Sequence, residues 1–457
     1  MRQALAALSA LAFCACGPGI HDEKSLRAAL NRTSGQVHLP AGTIDIQGEL
    51  VIPRTVKDLD IRGEGLETVI RAAPGFKGRA LFVVEGGARV RFWDLTIDGN
   101  RDQVKMPALG LPPSDVPFAD FYPNNGILAR NVDGFELANM HFRRIPGFAV
   151  LVASSNNVKL DLCRVEDSGS RNAASRNNTT GGILFEEGVE RFEVSECEFR
   201  NIRGNGVWTH SRYESKRNGP GSIQRNRFER IGRDAIQVGH ATRVGVFGNT
   251  GREIGFPVEE VDIENQAIPV GIDTAGDVDR STYDRNRFEE VNGKCIDLDG
   301  FHDGNVRRNE CINTKAPGDY PYAGYAIVMN NTNPDMKPEK VRISNNVIEG
   351  AKFGGIFVIG SDNRIENNRL RNINTAHCNV EAARFGCLFR KDEPDLLRAG
   401  IYLGKGAERP APARGSRVTG NRISGFGMKE HCVVSAPGIK PGDNEVGENE
   451  CADAEKK

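Results

Sequence analysis

The chain has 457 residues, a formal net charge of −1 and a pI near 6.7, which argues against a nucleic-acid binder, since that would need a basic face. Glycine is abundant at 52 residues and aromatics make up 7%, and no long amphipathic helical pattern occurs, so an all-β chain built on tight turns is expected. This length would ordinarily divide into two or three domains, but a repeat protein lengthens without starting a new core, so one domain is expected over 17–457.

Residues 1–16 read as an export leader. Arg2 precedes an apolar run from Ala4 to Phe13, too short to span a bilayer. The run ends in Phe13-Cys14-Ala15-Cys16-Gly17, which resembles a bacterial lipobox with Cys16 as the lipidated residue. The mature protein is therefore expected to be exported and held to the outer membrane by its lipid alone, in the periplasm or at the cell surface. Removing the leader leaves eight cysteines, an even number that suits disulfides in an oxidising compartment. Cys378/Cys387 and Cys432/Cys451 are close enough in sequence to staple a loop and the C-terminal end. Cys163 and Cys197 fall in one repeat column, either bonded or stacked as small apolar residues.

Residues 22–31 predict a short helix with Asp22 as N-cap and Leu26, Ala29 and Leu30 on one face. It would cover the open edge of the first coil. Residues 22–100 form this cap and the first coils, with strands through Val37-His38-Leu39, Leu50-Val51-Ile52, Leu59-Asp60-Ile61, Leu81-Phe82-Val83 and Leu95-Thr96-Ile97. The capping helix, Leu39-Pro40-Ala41-Gly42-Thr43 and Leu95-Thr96-Ile97-Asp98-Gly99-Asn100 together resemble the entry to a right-handed parallel β-helix of the pectin-lyase-like superfamily. The resemblance covers essentially the whole mature chain and implies a solenoid of roughly a dozen coils. It does not imply one reaction, because that superfamily holds lyases, hydrolases, epimerases and adhesins.

Repeat coils follow over 126–451. A small residue followed by an aliphatic opens ten strands, from Gly126-Ile127 through Gly182-Ile183, Gly206-Val207 and Gly271-Ile272 to Gly400-Ile401. Such a motif returning every few tens of residues is the mark of a solenoid. Asn226, Asn286, Asn309, Asn346, Asn368 and Asn421 recur in a second marker, and an internal asparagine ladder is expected from them. Extra residues follow the repeated strand at 211–221, 331–340 and 405–416, and precede it at 101–124, 167–180, 253–269, 314–324 and 374–398. Both rims of one sheet thus carry loops that would wall a groove.

Strand alternation assigns the outward positions of that sheet. One column carries Asp273 and Asp297 on successive coils, and Asp299 lies two residues beyond Asp297. Crowded carboxylates repel, so one should keep a proton near neutrality unless a cation sits among them. Two chemistries suit the set: an acid/base pair for glycoside hydrolysis, or oxygen ligands for Ca²⁺. His302 and His210 are candidate proton carriers. Glu186 stands beside His210 in one column, where it should raise and orient the imidazole. Trp208 and Tyr402 are candidate stacking platforms for pyranose rings, and Arg212, Tyr213, Gln237, His240 and Asn330 are candidate sugar contacts.

No family motif carries roles across. Pectin-degrading hydrolases of this fold use Asn-Thr-Asp, then Asp-Asp, then Gly-His-Gly, and none of these occurs here. The Asp-Pro-His of alginate epimerases is also absent. Calcium-dependent lyases pair acidic ligands with a Lys or Arg base, for which Arg212 and Lys216 are available. The favoured expectation is an enzyme cleaving a polysaccharide by hydrolysis, with no cofactor required. A Ca²⁺-dependent uronate lyase and a non-catalytic glycan-binding or adhesion module are the alternatives.

Overall fold

The computed structural model describes residues 19–265, 267–379, 385–388 and 390–454. The leader and the proposed lipidation site at Cys16 lie outside the described residues. The chain winds through three parallel sheets of fourteen strands each. The third sheet has thirteen strands on its main path and one short strand, Phe301–His302, beside Val270–Asp279. This is the expected all-β right-handed parallel β-helix, with fourteen coils where about a dozen were expected.

Helix α1 (Glu23–Leu30) caps the entry. Asp22 Oδ1 accepts from Ser25 N at 2.8 Å, and Leu26 and Leu30 face inward, fully buried. Among the described residues no helix is long and apolar enough to cross a membrane.

The periodic sequence is explained by the coil cross-section. The inward column Ile127, Val150, Ile183, Val207, Ile236, Ile272 and Ile296 is buried and in register from strand to strand. The small residue before it stands where coils approach closely, and a Cβ on Gly182 would lie 1.9 Å from Gly206 O. Between the first and second sheets the coils that carry Asn226 to Asn421 turn through a residue with positive φ, such as Arg225, Arg285, Arg308, Asn345 and Asn367. The next residue is the ladder asparagine.

The ladder forms as expected, and Asn249 and Asn449 extend it. Each amide donates to the Oδ1 of the next coil and to a strand carbonyl, as Asn286 Nδ2 does to Asn309 Oδ1 and Val246 O, both at 2.9 Å. Cys197 and Cys163 continue the same column. Cys197 N donates to Asn226 Oδ1 at 2.9 Å, Cys163 N to Cys197 Sγ at 3.3 Å, and both thiols are free and buried. The stacked reading of this pair therefore holds.

The expected disulfides Cys378–Cys387 and Cys432–Cys451 are present. A third, Cys295–Cys311, ties the third-sheet strand Lys294–Asp299 to the second-sheet strand Glu310–Ile312. These cysteines are 16 residues apart in sequence and meet only because the coil bends between two sheets.

Candidate active site

The long loops emerge at both edges of the third sheet and brace one another across coils. Asn172 Nδ2 donates to Asp262 Oδ1 at 2.7 Å, and Arg409 Nε donates to Thr332 O at 3.0 Å. On the early coils, however, the groove is filled. Helix α2 (Phe118–Phe121), inside the first insertion, packs on Leu128, Leu151, Leu184 and Trp208 as a second apolar cluster.

This covering corrects three sequence expectations. Trp208 is 6% exposed, with its ring centroid 4.8 Å from that of Phe118, so it is packing under a loop rather than a sugar platform. Glu186 is fully buried, and its carboxylate accepts from Phe118 N at 2.9 Å and Ala119 N at 2.7 Å, anchoring α2. It does not charge His210. Burial instead lowers the His210 pKa to about 4, leaving a neutral imidazole edge-on to Phe118. Tyr402 is likewise fully buried, stacked on Phe357 with centroids 6.0 Å apart, and is not a platform either.

The middle coils keep their polar floor. Gln237, Asp273 and Asp297 stand in register on three successive strands. Asn205 Nδ2 donates to Gln237 Oε1 at 2.8 Å, and Gln237 Nε2 donates to Asp273 Oδ2 at 2.6 Å, so a chain of amides orients that carboxyl. Asp299 turns toward the exit rim, where its Oδ1 accepts from Thr332 N at 2.8 Å. Burial raises its pKa.

Two charged residues join the aspartates from the entry rim, and the sequence reading missed both. Asp234 is 5% exposed, and burial pushes its pKa up to about 7, with Arg233 opposing and Asp297 adding to the rise. Lys294 forms an ion pair with Asp297. Burial disfavours its ammonium, but Asp297, Asp273 and Asp299 hold its pKa above the ordinary lysine value. Asp273 is raised well above the carboxylate range by burial, then by Asp234 and Asp297. Asp297 is 6% exposed, and its Oδ1 has no hydrogen-bond partner among the described residues. Asp234 and Lys294 thus join the expected Asp273, Asp297 and Asp299, with Lys294 paired to Asp297 and Asp234 acting on Asp273. A signal for the missing pair existed in the sequence. In the position before each small–aliphatic pair, only Asp234 and Lys294 are charged; the other coils carry Asn, Phe, Gly, Val, Tyr or Ala.

The remaining candidates gather at the exit rim. His302 Nε2 pairs with Asp277 Oδ1 and Nδ1 with Asp303 Oδ2, both at 2.8 Å, and the bond to Asp277 chiefly raises its pKa. Arg217 holds Asp277 from the other side at 2.8 Å. The His240 and Tyr213 rings stand 4.9 Å apart, and burial lowers the His240 pKa. Tyr213 is half-exposed, and its hydroxyl accepts from Asn333 Nδ2 at 2.5 Å. Asn330 lies beside Asp299 in register, its Oδ1 taken by Asn331 N at 2.8 Å. Arg212 is committed to Glu187 at 3.1 Å and to Asp115 O at 2.9 Å. Lys216 pairs with Glu190, which leaves neither cation beside the aspartates as a free base.

The Ca²⁺ expectation fits these residues poorly. Lys294 already supplies the positive charge at Asp297. Among the described residues no three His, Cys, Asp or Glu side chains converge as metal ligands.

Residues 221–436 match the family model described as the right-handed beta helix region. No curated protein sequence matches the chain. Among solved structures, it is similar to the catalytic unit of a GH87 α-1,3-glucanase from Streptomyces thermodiastaticus (11% identity, 95% of this chain and 67% of that one, TM-score 0.54). It is also similar to the A-module of the Azotobacter vinelandii mannuronan C-5 epimerase AlgE4 (14%, 97% and 98%, TM-score 0.52). A third is the Streptococcus pneumoniae surface adhesin PfbA (16%, 79% and 90%, TM-score 0.53). At these identities the likeness establishes the fold alone. With three stacked parallel sheets, an internal asparagine ladder and this match over residues 221–436, the chain folds as a right-handed parallel β-helix and aligns with no specific enzyme family.

Proposed function

We propose that the protein is an exported enzyme that hydrolyses glycosidic bonds in a polysaccharide. One observation carries the reading: Asp273 and Asp297 stand in register on successive strands, with Lys294 paired to Asp297 and buried Asp234 adding to the rise of Asp273. Such a set keeps one carboxyl protonated and another ionised at the same pH, which is what glycoside hydrolysis requires. Asp273, raised well above the carboxylate range and aimed by Gln237, gives its proton to the glycosidic oxygen as that bond breaks. Asp297, paired with Lys294, is the carboxylate at the anomeric carbon and takes the proton of the water whose oxygen bonds that carbon, while buried Asp234 lies beside Asp273 and contributes to its shift. His302, with Tyr213, His240 and Asn330, supplies sugar contacts along the exit rim. Carbohydrate chemistry is also what the glucanase and epimerase of similar fold carry out. Three disulfides support export into an oxidising compartment, and the lipid anchor at Cys16 remains part of the proposal.

The test is a polysaccharide panel on the mature chain, reading reducing ends together with unsaturated-uronate absorbance, with and without chelator. Hydrolysis predicts reducing ends without absorbance, indifference to chelator, and a loss of about 10³-fold or more in Asp297→Asn. Absorbance that chelator abolishes would replace the hydrolase by the lyase. Glycan binding that survives Asp297→Asn with no turnover on any substrate would make the protein a binding module.

A further inference from the structure

A second polar site lies where the second sheet runs into the entry-rim loops. The ends of strands Glu198–Ile202 and Arg227–Ile231 and the loops at 167–180 and 253–269 enclose a pocket of about 260 Å³. It is lined by Arg101, Arg171, Arg203 and Arg230 with Asp167 and Glu260, and also by Asn177 and by Gly232, which lies two residues along the chain from Asp234. Arg171 is paired with Glu260, and Arg230 with Glu253 at 3.0 Å. Arg101 and Arg203 form no ion pair among the described residues. Both donate to one carbonyl, Gly169 O, at 3.4 and 3.3 Å. Two half-buried guanidiniums thus share a single neutral hydrogen-bond acceptor, with Asp102 and Asp167 favouring the charge of Arg101 and Glu260 and Asp102 that of Arg203 from beyond ion-pair distance. Burial lowers the pKa of each, that of Arg203 to about 10, where repulsion from Arg101 and Arg171 adds to the effect.

A second observation points to what completes the pocket. Asn177 is 2% exposed, yet its Oδ1 has no hydrogen-bond partner among the described residues. Its amide lies against a position that only glycine allows, since a Cβ at 232 would stand 2.4 Å from Asn177 Nδ2. A buried acceptor left unpaired is costly, as are unpaired half-buried guanidiniums. An inorganic anion would answer the arginines alone. A sugar carrying an anionic group answers both, with its charge on Arg101 and Arg203, where fork geometry suits a carboxylate or sulfate, and with the Asn177 side chain turning into the pocket it lines to take a hydroxyl on Oδ1, an atom sealed from solvent here.

We propose that this pocket is a subsite for the anionic group of an acidic sugar, so that the polysaccharide engaged by the protein is itself acidic despite the chain's near-zero net charge. The proposal rests on the polysaccharide reading above and narrows it. The experiment is calorimetric titration of the full mature chain carrying Asp297→Asn with three oligosaccharides of matched length: uronate-bearing, O-sulfated and neutral. The expected result is binding of one acidic oligosaccharide at least about tenfold tighter than the neutral one, weakened by salt, and the pair that binds identifies carboxylate or sulfate. Arg101→Gln with Arg203→Gln should cost at least about tenfold in affinity. Arg203→Lys, which keeps charge and fold but loses the fork, should cost a smaller measurable factor and carries the test if the double variant is unstable. Equal affinity for the neutral oligosaccharide, unchanged affinity in both variants, or equally tight binding of inorganic sulfate alone would each overturn it. Turnover of a neutral polysaccharide would remove this proposal and leave hydrolysis standing. Acidic-sugar binding without turnover would do the reverse.

Discussion

Replacing Asn286 by Ala tests what holds the coils together. Asn286 is 1% exposed and sits mid-ladder. Its Nδ2 donates to Val246 O and Asn309 Oδ1, both at 2.9 Å, and its Oδ1 accepts from Asn249 N at 3.0 Å and Asn249 Nδ2 at 2.9 Å. Alanine removes all four bonds and leaves the Asn249 backbone N–H inside the coil without that acceptor. At about 1 kcal/mol for each bond, the loss is about 4 kcal/mol. The neighbouring exposed Arg287, paired with Glu289 and Glu310, is the control; as a surface ion pair it should cost less than about 1 kcal/mol on replacement by Ala. Urea unfolding followed by far-ultraviolet circular dichroism should show the midpoint falling for Asn286→Ala at unchanged slope. Equal, small shifts for both variants would refute the argument that the ladder stabilises the solenoid.

Three further outcomes are expected. Asp234 has a folded-state pKa of about 7, above its ordinary value of 3.8, so its contribution is full at low pH and is lost as pH rises through about 7. Asp234→Asn should therefore gain melting temperature relative to wild type as pH goes from 4.5 to 7.5, and a gap that stays flat or reverses would contradict this burial argument. Trp208→Ala should cost about 3–5 kcal/mol through the cavity left under α2 without weakening glycan binding, measured by thermal melting and calorimetry; lost binding at unchanged stability would restore the platform role. Replacing Cys295 and Cys311 by serine should cost about 3 kcal/mol in unfolding free energy, from the loop this bond closes.

Much of the fold was legible because a solenoid repeats its reasons. The small–aliphatic pair marks where one coil approaches the next, alternation separates Ile272 and Ile296 from Asp273 and Asp297, and the asparagines mark a turn that every coil must make. Each signal is local in sequence and returns often enough to be read. The helix cap at Asp22 and two of the three disulfides were legible on the same ground.

What the tertiary structure alone decided is what lies across from what. Alternation states that Trp208, Glu186 and Tyr402 leave the coil outward, but an insertion folding back over the sheet makes outward mean buried. Nothing periodic in residues 101–124 announces that Phe118 will cover Trp208 or that its backbone N–H will take Glu186. Asp234, in a turn, and Lys294, at the start of strand Lys294–Asp299, lie 60 residues apart in number, and only the stacking of successive coils brings Asp234 to the Asp297 pair. The arginine pocket is hidden in the same way, because a net charge of −1 sums over the chain, while Arg101 and Arg203 meet at one carbonyl. Composition and period determine the scaffold and place Asp273 and Asp297 on its outward face, since every coil is subject to the same packing; the insertions and turns, which differ from coil to coil, decide what surrounds them.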